Sequence, residues 1–173
     1  MNNATNPYIS MGSITYDPQT RTLLLDNLNV ESSVGSTLVI GDKDKQESAI
    51  KVVLKGTNII TAYADGAILT QNVDVSFEGY GSIQTSSYYS SYGMLISTGK
   101  VTFNGVEATI NGNSYGIKGD KGTEALTVRG STLKVRGNNS GSIVNIGSLT
   151  MKYCEITSPS GAAFNATTKQ VEV

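Results

Sequence analysis

Apolar and polar residues alternate along most of this chain, in short stretches separated by glycine or another turn-forming residue. Successive side chains of a strand point to opposite faces, so this alternation predicts β-strands with one buried face. One phrase, an alternating stretch, a turn residue and a second apolar stretch, recurs along the sequence. Its copies are LLLDNLNV from Leu23, VVLKGTNI from Val52, VSFEGYGSI from Val75, VTFNGVEATI from Val101, LTVRGSTLKV from Leu126 and LTMKYCEI from Leu149.

The spacing of the copies predicts a solenoid. From Val52 onward they start 23 to 26 residues apart, and VEV at Val171 begins a further copy after 22. A repeat of this length with β-type alternation is typical of coils that stack on one another. An antiparallel sandwich would instead need hairpin turns every 8–12 residues and no fixed lag between equivalent residues.

The copy at Val101 shows how one coil is built. Val101 and Phe103 are predicted to point inward, Gly105 to turn a corner, and Ala108 to point inward again. A third stretch, SYGIKG, follows after another corner. Three short strands and three corners per coil predict an all-β, single-stranded parallel β-helix of about five to six coils, each of roughly 24 residues.

Equivalent residues are then expected to stack in columns. The first inward column is Leu23, Val52, Val75, Val101, Leu126, Leu149, and the second is Leu25, Leu54, Phe77, Phe103, Val128, Met151. A third, after the corner, is Val30, Ile59, Ile83, Ala108, Leu133, Ile156. The corner column is Asn27, Gly56, Gly79, Gly105, Gly130, Tyr153, mostly residue types that tolerate positive φ. The third face is expected to start at Asp65, Tyr92, Tyr115, Ser140 and Ser160.

The two ends of a solenoid expose free strand edges. Residues 1–20 are polar and are predicted to form an extension that folds over the first coil, with the β-helix domain spanning 21–173. The segment VEV at 171–173 is predicted to pair as a last edge strand. We expect a neighbouring domain or a second molecule to cover that edge.

Composition narrows the classes of function. The net charge of −1 argues against a nucleic-acid or anionic-membrane partner, although residues 1–99 carry −4 and residues 100–173 carry +3. No apolar run approaches the ~20 residues of a membrane span. The start of the chain lacks the features of a secretory signal. The richness in Ser, Thr, Asn, Gly and Tyr favours a mature segment of a secreted or cell-surface protein.

Few residues offer chemistry. The chain has no histidine, and Cys154 is its one cysteine, so no internal disulfide, thiol cluster for a metal or cofactor is predicted. Cys154 follows the corner position and is interpreted as a small packing residue. Asp42, Asp44 and Glu47 are interpreted as a solvated linker, because lysines alternate with them and no glycine-centred calcium loop is present.

The coil pattern resembles right-handed parallel β-helices of the pectate-lyase-like class. The phrase from Tyr16 to Leu25 resembles the start of solenoid domains in secreted or surface proteins of gut bacteria. Enzymes of that class use carboxylates in adjacent coils, which the resemblance would imply here. The outward column before the first corner reads Asp26, Lys55, Glu78, Asn104, Arg129, Lys152, without neighbouring carboxylates. A non-catalytic domain is therefore predicted, with a polysaccharide lyase or hydrolase, or a purely structural spacer, as the alternatives.

The stretch GYGSIQTSSYYSSYG from Gly79 is the strongest candidate for a binding site. Tyrosine rings offer flat apolar faces and a hydroxyl, a combination that suits sugars. The candidate ligand-binding residues are Tyr80, Tyr88, Tyr89, Tyr92 and Tyr115, and the expected partner is a glycan. The alternative is that these tyrosines pack on the solenoid wall, with Tyr92 stacked on Tyr115.

Two further surface features are predicted. The first is a hydroxyl ladder of Ser76, Thr102, Thr127 and Thr150, preceded by Leu24 and Val53 in the same column. The second is a small basic patch of Arg129, Lys134, Arg136 and Lys152. Both are interpreted as ordinary solvated surface, since hydroxyl and charged side chains commonly face solvent on strands.

Overall fold

The computed structural model describes residues 8–89, 92–157 and 160–173, and the regular elements of this part are all β-strands. Their bounds are β1 Ile9–Asp17, β2 Thr22–Ser32, β3 Leu38–Gly41, β4 Ile50–Lys55, β5 Thr57–Ala62, β6 Gly66–Gln71, β7 Val75–Gly79, β8 Ser82–Ser87, β9 Tyr92–Ile96, β10 Lys100–Asn104, β11 Glu107–Gly112, β12 Tyr115–Gly119, β13 Ala125–Arg129, β14 Thr132–Gly137, β15 Gly141–Val144, β16 Ser148–Lys152, β17 Ala163–Asn165 and β18 Gln170–Glu172. Among the described residues, no helix exists that could cross a membrane.

The strands stack as a parallel β-solenoid of about five turns, which confirms the predicted architecture. The first face consists of the start of β2 followed by β4, β7, β10, β13 and β16. The second face continues from the end of β2 through β5, β8, β11 and β14. The third face is β3, β6, β9, β12 and β15. The first corner joins the first and second faces, the second corner joins the second and third, and the third corner returns to the first face.

Inward side chains form one continuous apolar core. In coils three to five and the strand after them, the predicted register holds, because Val75, Val101, Leu126 and Leu149 are direct neighbours. Two residues further along these strands, the rings of Phe77 and Phe103 stack with centroids 5.1 Å apart. This distance is close to the ~4.8 Å between paired strands, so side chains in one column contact through successive coils.

The first corner has the predicted backbone conformation in every copy. Asn27, Gly56, Gly79, Gly105, Gly130 and Tyr153 all have positive φ, between 49° and 113°. Left-handed backbone turns the chain sharply without a helix or hairpin, and glycine adopts it at no steric cost. Asparagine and tyrosine hold the same conformation in the first and last copies.

The register predicted between the second and third coils is wrong by two residues. Val75 lies beside Ile50 rather than Val52, and Val52 lies beside Phe77. The reason is that β4 has three inward residues before its corner, whereas β7 has two. Gly79 is therefore the neighbour of Leu54 instead of Gly56. Matching corner glycine to corner glycine misaligned the two coils.

The inward residues of β5 also differ from the prediction. Asn58 and Ile60 are fully buried, whereas Ile59, which was predicted to point inward, lies on the outer side and is half-buried. The buried amide of Asn58 links three coils. Its Oδ1 accepts a hydrogen bond from the Leu28 backbone N–H at 3.0 Å, and its Nδ2 donates to the Ser82 carbonyl at 3.1 Å. A buried polar residue is accommodated because it satisfies corner backbone groups.

The N-terminal end of the solenoid is covered by an antiparallel strand. β1 pairs with β2 from Ile14 beside Leu25 to Asp17 beside Thr22, with irregular register nearer Ile9. Residues 1–7 of the predicted extension lie outside the described residues. The boundary at residue 20 stays a prediction.

The C-terminal end departs from the prediction. β18 does not begin a new coil, because it pairs antiparallel with β17, with Val171 beside Phe164. Residues 160–162 and β17 likewise do not continue the third face, and Ile156 lies outside any strand, so β14 is the last strand of the second face. The β17–β18 hairpin is tied to the last coil by Lys169, whose Nζ donates to the Gly122 carbonyl at 2.9 Å.

Replacing Asn58 with alanine is expected to destabilise the fold by about 2–3 kcal/mol, because it leaves the Leu28 N–H and the Ser82 carbonyl without their buried partner. Urea denaturation measures this loss. Asn104→Ala, at an exposed position on the first face, is the matched control and should change stability by less than about 0.5 kcal/mol. Equal effects of the two substitutions would contradict the role given to Asn58.

Substitution of Gly130 tests the backbone conformation of the first corner without introducing a steric clash. A Cβ added at Gly130 meets no atom within 4 Å, and the φ of Gly130 is 51°. Gly130→Ala should therefore lower the free energy of unfolding by about 1 kcal/mol through backbone strain alone. Gly130→Asn should cost clearly less, since asparagine tolerates this conformation, as Asn27 does in the first coil. Thermal melts of both variants decide the point.

Candidate functional site

The five candidate tyrosines do not form one cluster. Tyr80 is fully exposed at the first corner, whereas Tyr88 and Tyr89 follow β8 at the second corner. The strand between them is extended, so Tyr80 and Tyr88 lie roughly 20 Å apart. Ser90 and Ser91, which belong to the predicted loop, lie outside the described residues. Tyr80 is therefore separate from the other tyrosines.

Tyr92 is a structural residue at the start of the third face. Its ring lies across Gly66 of the preceding coil, where a Cβ would approach ring carbon Cε2 to 1.9 Å. Its hydroxyl shares a hydrogen bond of 3.0 Å with the Ser36 hydroxyl, one coil further away. Burial raises the pKa of the Tyr92 phenol, and Asp65 and Asp120 add to this effect, whereas the Ser36 hydrogen bond opposes it.

Tyr115 lies beside Tyr92 in the strand register, yet the structure gives it a different partner. The Lys118 ammonium is 4.9 Å from the centre of the Tyr115 ring, in a cation–π contact on the outer side. The Tyr92 ring is directed toward Gly66 and Ser36 instead. The predicted alternative in which Tyr92 stacks on Tyr115 is therefore wrong.

The stacked tyrosine pair at the second corner is Tyr63 with Tyr88. Their ring centroids are 5.3 Å apart and their planes differ by 9°. The Tyr88 backbone N–H donates to the Ala62 carbonyl, so the two residues occupy equivalent places in successive coils. Tyr63 is not among the candidate residues predicted from the sequence. It lies 25 residues before Tyr88, the lag that pairs β5 with β8, and the correct register would have identified it.

The other side of Tyr88 faces coil four, where a small side chain replaces tyrosine. The equivalent residues there and in coil five are Asn113 and Asn138, which are much shorter than tyrosine. Their small size leaves an open recess of about 190 Å³ beside the Tyr88 ring. The recess is lined by Ser86, Ser87, Tyr88, Asn111, Gly112, Asn113 and Asn138.

Side chains from coil three hold the backbone of the recess in place. The buried hydroxyl of Thr85 accepts a hydrogen bond from the Asn111 N–H at 3.1 Å, and the Ser87 hydroxyl accepts one from the Asn113 N–H at 3.3 Å. These bonds fix the positions from which the asparagine side chains project. We name the surface formed by Tyr63, Tyr88, Tyr89 and this recess the aromatic corner. It presents one apolar ring face beside several amide groups.

The predicted surface ladders are shifted on the first face. Lys51, rather than Val53, is the neighbour of Ser76, and Thr102, Thr127 and Thr150 follow as predicted. Glu78 forms an ion pair with Lys51 at 3.0 Å, and Asp26 with Lys55 at 2.8 Å. The hydrogen bond from Lys55 lowers the pKa of Asp26. Both carboxylates thus balance neighbouring lysines.

The remaining sequence candidates lie on or near the last strands of the first and second faces. Arg129 lies beside Lys152 on the first face and stands 5.9 Å from the Tyr153 ring, while Lys134 and Arg136 are exposed on β14. The Cys154 thiol donates to the Val128 carbonyl at 3.2 Å and is partly buried. Within the described residues, no three His, Cys, Asp or Glu side chains are grouped as a metal ion would require.

Comparison of the chain with protein-family models, with curated proteins and with solved structures found no match.

Replacing Tyr92 with phenylalanine should make stability less sensitive to alkaline pH. The pKa of Tyr92 is raised in the folded state. The contribution of its phenol to stability is therefore complete below the unfolded-state pKa of about 10 and is lost as pH rises through the folded-state pKa. Thermal melts of wild type and Tyr92→Phe at about pH 8 and about pH 11 measure this. Tyr80→Phe, at a fully exposed position, is the control, and an equal alkaline loss in all three proteins would contradict the prediction.

Proposed function

We propose that this chain is a non-catalytic solenoid domain of a secreted or cell-surface protein, of the pectate-lyase-like β-helix class, that binds a neutral glycan at the aromatic corner. The observation that carries this proposal is the Tyr88 ring, which is stacked on Tyr63 on one side and faces an amide-lined recess on the other. Sugar rings present apolar C–H groups on one side and hydroxyls around their edge. The Tyr88 ring face can pack against the C–H groups, and the neighbouring amides can form hydrogen bonds with the hydroxyls.

The size of the recess favours binding of one sugar unit of a longer glycan. At about 190 Å³ it is smaller than the 300–1,000 Å³ of sites that enclose a small molecule. An open recess on a rigid surface would therefore hold one sugar ring, while the neighbouring sugar units of the glycan lie along the protein surface. Tyr89, which is 82% exposed next to Tyr88, is placed to contact such a neighbouring unit.

Charge supports a neutral rather than an acidic glycan. The residues that line the recess are serine, tyrosine, asparagine and glycine, and none of them is Asp, Glu, Lys or Arg. Amides and hydroxyls both donate and accept hydrogen bonds, as sugar hydroxyls do. A uronate or sulfate would find no cation among these lining residues.

Tyr88→Ala should weaken binding to immobilised neutral glucans, mannans or galactans at least about tenfold, because the ring face is lost. Asn113→Ala should also weaken binding, and Tyr63→Ala should do so by a smaller factor, since it removes the ring that holds Tyr88 in place. Surface plasmon resonance on each glycan measures the change.

Tyr80→Ala is the matched control for this test, because Tyr80 is an exposed tyrosine at a different corner. Its binding should equal that of the wild type. If the Tyr80 and Tyr88 variants lose binding equally, or if wild type binds none of the three glycan classes, the proposed site is wrong. Circular dichroism of each variant verifies that the fold is intact.

A further inference from the structure

A larger groove lies at the third corner, at the opposite end of the third face from the aromatic corner. It has a volume of about 430 Å³, within the range of small-molecule sites. Residues from four successive coils line it, so it runs along the solenoid axis. These residues are Thr20, Arg21, Ala49, Ile50, Lys51, Asp74, Val75, Ser76, Lys100 and Thr102.

The walls of the groove are fixed by hydrogen bonds. The Arg21 guanidinium donates to the Glu47 carboxylate at 2.9 Å and to the Ser48 carbonyl at 2.8 Å, which holds the segment before β4 against the first coil. On the other side, the Lys100 backbone N–H donates to Asp74 Oδ1 at 2.8 Å. The groove is therefore preorganised, which lowers the entropy cost of binding a ligand.

The charges around the groove cancel. Arg21 is paired with Glu47, and Lys51 is paired with Glu78, at 2.9 and 3.0 Å. Of the ionised side chains that line the groove, this leaves Asp74 and Lys100, which carry opposite charges. An anionic ligand would meet the Asp74 carboxylate, so this balance favours an uncharged ligand.

The polar groups that remain are a mixture of donors and acceptors. Asp74 Oδ1 is engaged by the Lys100 N–H, whereas Oδ2 accepts no hydrogen bond from the described residues. Lys100 and the hydroxyl-bearing residues Ser76 and Thr102 line the same groove, with Ser76 and Thr102 as direct strand neighbours. A carboxylate oxygen can accept a hydrogen bond from one hydroxyl of a vicinal diol, and an ammonium or a hydroxyl in the same groove can donate to the other. Hydrogen bonds to charged groups are among the stronger ones.

We propose that this groove is a second binding site, which takes a neutral pyranose through charge-assisted hydrogen bonds that Asp74 accepts and Lys100 donates. It differs in chemistry from the aromatic corner, which relies on ring stacking and amides. The two sites lie at the two ends of β9, roughly 20 Å apart. The inference does not rest on the aromatic corner, because each site has its own residues and its own test.

The experiment is a titration of ¹⁵N-labelled protein with methyl glucoside, methyl galactoside and methyl mannoside, followed by amide chemical shifts. At least one sugar should shift the amides of Ser76, Lys100 and Thr102 in a saturable manner. Asp74→Asn keeps an oxygen that can accept from the Lys100 N–H, and should weaken this response about tenfold. Asp120→Asn, an exposed carboxylate outside the groove, is the control and should leave the affinity unchanged.

The outcomes separate the two proposals. Shifts at the groove that persist in Tyr88→Ala support a second, independent site, whatever happens at Asn113. Shifts confined to Tyr88 and Asn113 would overturn the groove proposal and leave the aromatic corner standing. A groove that responds to inorganic phosphate or sulfate but to none of the three sugars would overturn it in favour of an anion site.

Discussion

Parallel pairing between successive coils sets the distance at which every equivalent pair of side chains meets. Strands in adjacent coils are about 4.8 Å apart, and this is close to the distance at which two aromatic rings stack. The same spacing produces the Phe77–Phe103 pair in the core, at 5.1 Å, and the Tyr63–Tyr88 pair on the surface, at 5.3 Å. Core packing and the candidate binding site are thus two results of one backbone constraint.

Differences between coils are concentrated at the corners. A strand must keep its register with both neighbours, so an extra residue or a change of side-chain size is tolerated best where pairing stops. At the second corner, tyrosine in coils two and three gives way to asparagine in coils four and five, and the change in size creates the recess. At the third corner, the segment before β4 lines one side of the groove.

Antiparallel strands lie at both ends of the described solenoid. β1 pairs with the free edge of β2, and the β17–β18 hairpin is anchored to the last coils through Lys169. A short connection lets the chain reverse, so that β1 pairs along the edge of β2, whereas β17 and β18 pair with each other in a separate sheet. The segment VEV looks like the start of another coil in sequence, since its alternation is the same in either arrangement.

Alternation and spacing were enough to predict the parallel solenoid, its three faces and the positive φ of the first-corner residues, because these depend on local strand periodicity and on the residue types at the corner. The register between β4 and β7, the burial of Asn58 and the partner of Tyr88 could not be predicted in this way. Each of these three features depends on the number of inward residues that a neighbouring coil has before its first corner. That number sets which side chains meet across coils, and so the tertiary structure alone brought Tyr63 to Tyr88 and separated Tyr80 from both.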